Sequence, residues 1–408
     1  MKRILFLIVI TALIFSCSKK EIRSIKLKMF NYKVEYVKQL GSVIESFSTR
    51  YKGKYTIEME TIPYEAQLVL EARLRENTGW DIIMIPPYKS IVTNASANYL
   101  MDLTNEAVMT KIYDSVKPPV AYDNKIYAMP YGLNVYGVFY NKDIFNSNQV
   151  AAPENISELK GLINTFQTKK IVPFSICGKD EWVSGYVFFA LVSSALGVDI
   201  DRWIETMNGG ISSFNNPKIN GVYEILDFYK ANGGAGIKNI DYYTQINNFG
   251  AGKTAMMFQG LNEFNIMNTK NPNIKAGVFA FPTDDTKNSN LCVDVDFAFA
   301  ISNNVDKEKK EGVIRFLEYL TNFETMELMN KGAKIVFAVK NTNASGINGD
   351  IKKYLDEGKI VNWAHKKIPA GVFEESKRQI KNYITGSTTK EEANKNLDKV
   401  WRINLENK

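Results

Sequence analysis

Ile25-Lys26-Leu27-Lys28-Met29, Tyr55-Thr56-Ile57-Glu58-Met59 and Asp81-Ile82-Ile83-Met84-Ile85 are the three stretches on which the fold turns. The first two alternate apolar and polar residues with the period of a strand, and the third is a short apolar run of the buried-strand type. Between them, Val37, Leu40, Ile44, Phe47 and Tyr51 recur at helical spacing, and Tyr64 to Glu76 is rich in Leu, Ala, Glu and Arg. The order strand, helix, strand, helix, strand argues for an α/β fold in which a parallel sheet is covered by helices. Ligands in such sheets bind beyond the carboxyl ends of the strands, and Pro86-Pro87-Tyr88 falls at one of those ends.

Further along, the alternation begins again. Ile126 to Pro130 and Val135 to Tyr140 read as two strands around Tyr131-Gly132-Leu133-Asn134. A helix follows Pro153, where proline near the start is harmless. Val172 to Ile176 is a strand and Val183 to Leu196 a strongly apolar helix; Ile219, Val222, Leu226 and Tyr229 mark another helix, Thr254 to Phe258 a strand and Leu261 to Met267 a helix. A second α/β unit therefore starts after about residue 134. Val293 to Ile301 is expected as a strand, Val313 to Leu320 as a helix and Ile335 to Val339 as extended chain. Thr388-Thr389-Lys390-Glu391 offers a capping box for the final helix of Ala393, Leu397, Val400 and Trp401.

The amino terminus reads as an export signal. Met1-Lys2-Arg3 is basic, Ile4 to Phe15 is an unbroken apolar run of 12 residues, and Ser16 is small. Spanning a bilayer takes roughly 20 residues, so a permanent transmembrane anchor is the weaker reading, and no later stretch is expected to be apolar enough to span a membrane. Cys17 follows directly. Ile14-Phe15-Ser16-Cys17 resembles the bacterial lipobox, whose cysteine is diacylated and becomes the new amino terminus, although Phe15 is bulky where a small residue is usual. The alternative is an ordinary signal peptide cut nearby. Ser18 to Ser24 is then a polar leash.

Composition narrows the function. The apolar fraction is 45%, enough for sizeable cores in two domains, and the net charge of +7 falls to about +5 without Lys2 and Arg3. The basic residues are scattered, which argues against nucleic acid as a partner. Only Cys177 and Cys292 remain after Cys17, and two free buried thiols fit better than a disulfide. One histidine, His365, in a polar run and without a Cys or His cluster, argues against a transition metal, and nothing implies a cofactor. Aromatic residues make up 12% of the chain, and the 21 tyrosines suit ligands with both polar and apolar faces.

Six motifs in order carry a resemblance: Asp81-Ile82-Ile83; Tyr127 to Gly132 leading into Gly137-Val138-Phe139-Tyr140-Asn141-Lys142-Asp143; Pro153 with Glu158-Leu159; Gly178-Lys179-Asp180-Glu181-Trp182; Gly252-Lys253-Thr254-Ala255-Met256; and Gly277 to Pro282. Together they resemble the extracellular solute-binding proteins (family 1) of carbohydrate-uptake ABC transporters, similar to maltose-binding and multiple-sugar-binding proteins. The resemblance implies a type II periplasmic-binding-protein-like fold of two α/β lobes, closing by a hinge on a sugar held in the cleft and presenting it to a membrane permease. Residues 1–16 would be the signal peptide and 17–24 the lipidated linker. Residues 25–133 plus about 283–331 would form the first lobe, and 134–282 plus about 332–408 the second, with crossings near Leu133-Asn134-Val135, Pro282 and Gly332. A monomer, tethered through Cys17 to the outer face of the cell membrane, is the expected state.

The resemblance also assigns site residues, each with a plain alternative. Tyr88 matches a cleft-facing position or is a surface tyrosine. Asn134 matches the polar residue of the first crossing or is a turn asparagine. Trp182 is the foremost stacking candidate, against helix-start packing. Asn262 stands where the family commonly has a stacking tryptophan, which puts ligand size in doubt. Glu263, next to it, contacts ligand or caps its own helix, the second being slightly favoured. Asp294-Val295-Asp296 replaces a glycine-rich segment; two residues apart on a strand, both carboxylates could share a face toward the cleft and accept hydroxyl hydrogen bonds, or one of them faces solvent and is merely structural. Phe373 matches an aromatic lining residue, with core packing as the stronger alternative.

An enzyme is the rival class. Asp294 and Asp296 are too close in sequence to flank a glycosidic bond comfortably. No serine elbow accompanies His365, and Ser157 and Ser387 sit at helix starts, where serine caps. A surface adhesin would show repeats, and none is present. The expectation is a binding protein without catalysis.

Overall fold

The computed structural model describes residues 24–331 and 334–406. The signal-peptide and Cys17 expectations, and the crossing at Gly332, lie outside the described residues. The first third runs β1 (Ile25–Asn31), α1 (Val37–Arg50), β2 (Tyr55–Thr61), α2 (Ala66–Arg75), β3 (Ile82–Ile85) and α3 (Lys89–Ser96), then the small β4 (Ala121–Tyr122) and β5 (Lys125–Ile126) hairpin. The 14-residue β6 (Ala128–Asn141) follows, with α4 (Lys142–Ser147), α5 (Ile156–Thr168), β7 (Val172–Ser175), α6 (Glu181–Leu196), α7 (Ile200–Asn208), α8 (Pro217–Ala231), α9 (Tyr242–Gly250), β8 (Thr254–Gly260), α10 (Leu261–Lys270) and β9 (Ala276–Phe279). The chain ends with β10 (Leu291–Ile301), α11 (Lys307–Leu320), α12 (Phe323–Asn330), β11 (Val336–Phe337), α13 (Gly346–Asp356), β12 (Ile360–Val361), α14 (Ala370–Ile384) and α15 (Lys390–Glu406).

One mixed sheet runs in the order β2-β1-β3-β10-β6-β8-β7, with β9 and β11 added on β6 and β12 on β10. β1 pairs in parallel with both β2 and β3, as the opening alternation predicts. α1 buries Leu40, Val43 and Phe47, one stripe of its surface, against this sheet. The expected break at residues 131–134 is absent: β6 is a single strand, because β10 pairs with it on both sides of that point, from Ala128 opposite Ala300 to Tyr136 opposite Cys292. Asn134, read as a turn residue in one alternative, sits mid-strand.

Two apolar cores flank the long strands. One gathers Leu27, Phe47, Ile83, Tyr131, Phe297 and Phe316, and takes in Phe264 and Ile351; the other gathers Phe166, Phe174, Phe189, Trp203, Tyr223 and Trp401. β6 and β10 contribute to both, Val135 and Val138 falling on different sides. Side-chain oxygens of Asn141, Asn155, Asn216, Asp241 and Asp306 accept from N–H groups in the first turns of the helices that follow them. The capping box of α15 is shifted by one residue from expectation: Thr389 Oγ1 accepts from the Glu392 N–H, and Thr388 donates to the Glu392 carboxylate.

One composition-based expectation is corrected. Within residues 181–208, α6 with its continuation into α7, the most apolar window of 18 residues has a mean hydropathy of 1.7, and the stretch is long and apolar enough to cross a membrane. Two thirds of that window is buried inside the protein, so it is a core helix pair, broken at Gly197, whose φ is +56°. Cys177 and Cys292 are both buried and unpaired, as expected.

Candidate functional site

Along β6 the side chains are buried except for Asn134 and Tyr140, and along β10 Asp296 alone is half-buried. The crossing strands are thus least covered near their middles, where Asn134 lies opposite Asp294. The register slips on β10 between Val295 and Phe297 and again before Ala298, so Asp296 is the residue without a regular partner. Such a bulge bends a strand and re-aims its side chains.

The two aspartates engage different partners. Asp294 is 2% exposed. Its Oδ2 accepts from the Tyr88 hydroxyl at 2.6 Å and from the Trp363 N–H at 3.0 Å, and its Oδ1 from the Val295 N–H at 2.7 Å. Burial raises its pKa to about 6, against the pull of those three donors. Asp296 instead forms an ion pair with Lys33 at 2.8 Å, and its carbonyl accepts from the Tyr32 hydroxyl. The Lys33 ammonium lies 5.6 Å from the Tyr36 ring centroid and 5.7 Å from that of Phe297. Tyr32 and Lys33 fall just past the carboxyl end of β1, where the strand-end rule that singled out Tyr88 would also have found them.

Tyr88 is half-buried and has φ +63° and ψ −113°. That conformation is rare for a bulky residue and costs roughly 1–3 kcal/mol, persisting only where neighbours over-determine it. Here the Tyr88 N–H donates to Pro119 O at 2.8 Å, its carbonyl accepts from Val92, and its hydroxyl is held by Asp294. Asn134 Oδ1 accepts from the Val135 N–H.

A wall of aromatic rings lies beyond the crossing. Trp182, half-buried at the start of α6, packs against Tyr242 at 4.8 Å and against Tyr186 at 6.2 Å. Tyr186 in turn meets Phe373 and His365, each at 5.0 Å, as well as Trp363 and Tyr136. Phe373 is half-buried, with His365 stacked on it at 4.8 Å. His365 therefore belongs to this wall and not to a polar surface run. Burial, then Lys366 and Lys377, push its pKa down to about 3, so the ring is neutral. Tyr186 was reachable from sequence, one helical turn after Trp182. Trp363 was not, since nothing around it has a period.

Asn262 is exposed at the start of α10, and Glu263 is half-buried beside it. The Glu263 carboxylate folds back over its own helix start, so that a Cβ on Gly260 would lie 2.4 Å from Oε2. That is the capping geometry of a glutamate at the third helical position. Burial raises its pKa, opposed by the Glu263 and Gly260 N–H groups, and it faces Tyr136, Tyr186 and Tyr242. Among the described residues no group of three or more His, Cys, Asp or Glu is placed to share a metal. Chemically, the arrangement offers flat apolar faces and a few fixed acceptors.

Comparison with known proteins agrees with this geometry. Residues 42–347 match the model of a family described as bacterial extracellular solute-binding protein. The multiple sugar-binding protein of Streptococcus mutans is 26% identical over 327 residues, which are 78% of this chain and 77% of that protein. Apo RafE from Streptococcus pneumoniae superposes with a TM-score of 0.80 at 23% identity, covering 93% of this chain and 97% of that one. RafE in complex with raffinose superposes with a TM-score of 0.68 at 22% identity, covering 93% and 99%. The mixed α/β fold is the type II periplasmic-binding-protein-like fold of these proteins.

Proposed function

The chain belongs to the bacterial extracellular solute-binding proteins, and from that premise we propose that it binds a mono- or oligosaccharide, or a related polyol-like solute, and hands it to an ABC importer. The observation that carries the reading is the ring wall of Trp182, Tyr186, Tyr242 and Phe373 beside the least covered part of the crossing strands. Pyranose C–H faces stack on such rings while a few fixed polar groups read the hydroxyls. Likeness to the Streptococcus mutans multiple sugar-binding protein and to RafE, solved with raffinose, supports the same class.

In this reading the first lobe is residues 25–133 with about 283–331 and the second is 134–282 with about 332–408, with Phe264 and Ile351 of the second range packing into the first core. Solute bridging them favours the closed form, since only differential affinity shifts such an equilibrium. Tyr88, Asn134, Trp182, Asp296 and Phe373 line the cleft, with Asn262 and Glu263 at its rim. The protein acts as an exported monomer, tethered by acylation of Cys17, which raises its effective concentration near the permease. It has no catalytic role.

Thermal unfolding of the exported protein against a sugar panel that includes raffinose and stachyose tests the proposal. A ligand at 100 times its dissociation constant stabilises by about 2.7 kcal/mol. A panel in which no sugar raises the melting point, or in which one is hydrolysed, overturns it.

A further inference from the structure

Three segments distant in sequence meet at one carboxylate. Asp294 lies on β10, Tyr88 on the loop from β3 to α3, and Trp363 just after β12. All three donors converge on the two Asp294 oxygens, with Tyr88 and Trp363 sharing Oδ2. The carboxylate is 2% exposed with three donors on its two oxygens, so its burial keeps a solute from it. Tyr88, by contrast, is half-buried in a strained backbone conformation that its hydroxyl contact helps to hold. Trp363 belongs to the second core and meets Tyr136 and Tyr186 edge to face. The register slip on β10 begins one residue after Asp294, so the junction sits where the strand changes course.

We propose that Asp294 is a positioning residue: its buried carboxylate ties Tyr88, carried by the β1–β3 side of the sheet, to the Trp363 segment of the aromatic wall, and so fixes the spacing across the cleft without touching the solute. This moves Asp294 out of the set of ligand contacts. Its bearing on affinity rests on the sugar-binding reading, whereas the tie itself does not. An asparagine at 294 can turn its one oxygen toward both Tyr88 and Trp363, whereas a leucine of similar size accepts from neither.

Hydrogen exchange read by mass spectrometry on the exported protein tests the tie without any ligand. Asp294→Leu is expected to speed exchange about tenfold or more in both residues 86–92 and residues 361–366. Tyr88→Phe should speed it in 86–92 only, and the double variant should match Asp294→Leu there, because both changes remove one interaction. Loosening confined to β10, or additive effects in the double variant, overturns the proposal. If Asp294→Leu does not fold, Tyr88→Phe still decides, since unchanged exchange in 86–92 would mean that the hydroxyl holds nothing. Raffinose affinity gives the functional arm: Asp294→Leu in the Tyr88→Phe background should cost no further affinity, whereas a ligand-contacting Asp294 would cost another tenfold. Failure of every sugar to bind the wild type would sink the sugar reading and leave the exchange result to judge the tie.

Discussion

Gly132 lies beneath the ring of Phe297: the two residues are paired across β6 and β10 at the bulge, and a Cβ on Gly132 would come within 2.1 Å of Phe297 Cε1. Phe297 is fully buried against Tyr131 and Tyr36, so the ring has little room to retreat. Gly132→Ala should therefore destabilise by about 1–3 kcal/mol through overpacking. Gly41→Ala, in the interior of α1 with open space where the methyl would go, should instead stabilise by roughly 0.5–1 kcal/mol. Urea midpoints of the two variants check both signs.

Lys33 and Asp296 have side chains only 15% and 23% exposed. Lys33→Met leaves Asp296 facing Tyr32 and Phe297 without its cation. The expected loss is about 1–2 kcal/mol, between the values for exposed and fully buried pairs. Asp296→Asn added to Lys33→Met should recover part of it, and a double variant less stable than Lys33→Met would contradict the assignment.

Two buried groups give stability opposite slopes with pH. Asp294 has its pKa raised from 3.8 to about 6, mainly by burial. Its contribution is fully present below pH 3.8 and is lost as pH rises through about 6, roughly 3 kcal/mol in all. His365 is lowered from 6.5 to about 3, again mainly by burial. Its contribution is present above pH 6.5 and is lost as pH falls through about 3, roughly 5 kcal/mol. Relative to wild type, Asp294→Asn should steepen the fall of stability on acidification between pH 6 and 4, and His365→Phe should flatten or reverse it. Because the chain has a single histidine, its imidazole NMR signals are unambiguous and should not titrate between pH 8 and 4.

Trp182 presents a half-buried ring in the aromatic wall, whereas Glu263 is turned back on its own helix start. Trp182→Ala should weaken sugar binding about tenfold or more, and Glu263→Ala by less. Calorimetric titration of both variants with whichever sugar stabilises the wild type checks the order, and the reverse order would remove Trp182 as the stacking residue.

The regular elements were legible in sequence wherever one face of a strand or helix carried a period. β1, β2, α1 and β10 fall close to their expected bounds because alternation or a 3.6-residue stripe marks them. β6 was split in two because Gly132 and Asn134 carry turn chemistry that pairing with β10 overrides. In the aromatic wall, Trp182 was visible at a matching motif, whereas Phe373 was marked by position alone and read more readily as core. The partners of Asp294 were not visible, since Tyr88 and Trp363 reach it from 206 and 69 residues away. The reading in which Asp294 and Asp296 share a face took the strand as regularly pleated, and the bulge between Val295 and Phe297 could not be seen in sequence.

β10 stands between β3 and β6 in the sheet, yet the chain reaches it only at residue 291. The first core therefore lacks its central strand, and β6 its longest partner, until late in synthesis. Contacts of such long sequence separation form slowly, because loop-closure entropy must be met before they contribute. A nascent chain of this topology is expected to stay open while most of it is being made. For a protein that is exported, late closure delays compaction that would block threading through a narrow channel.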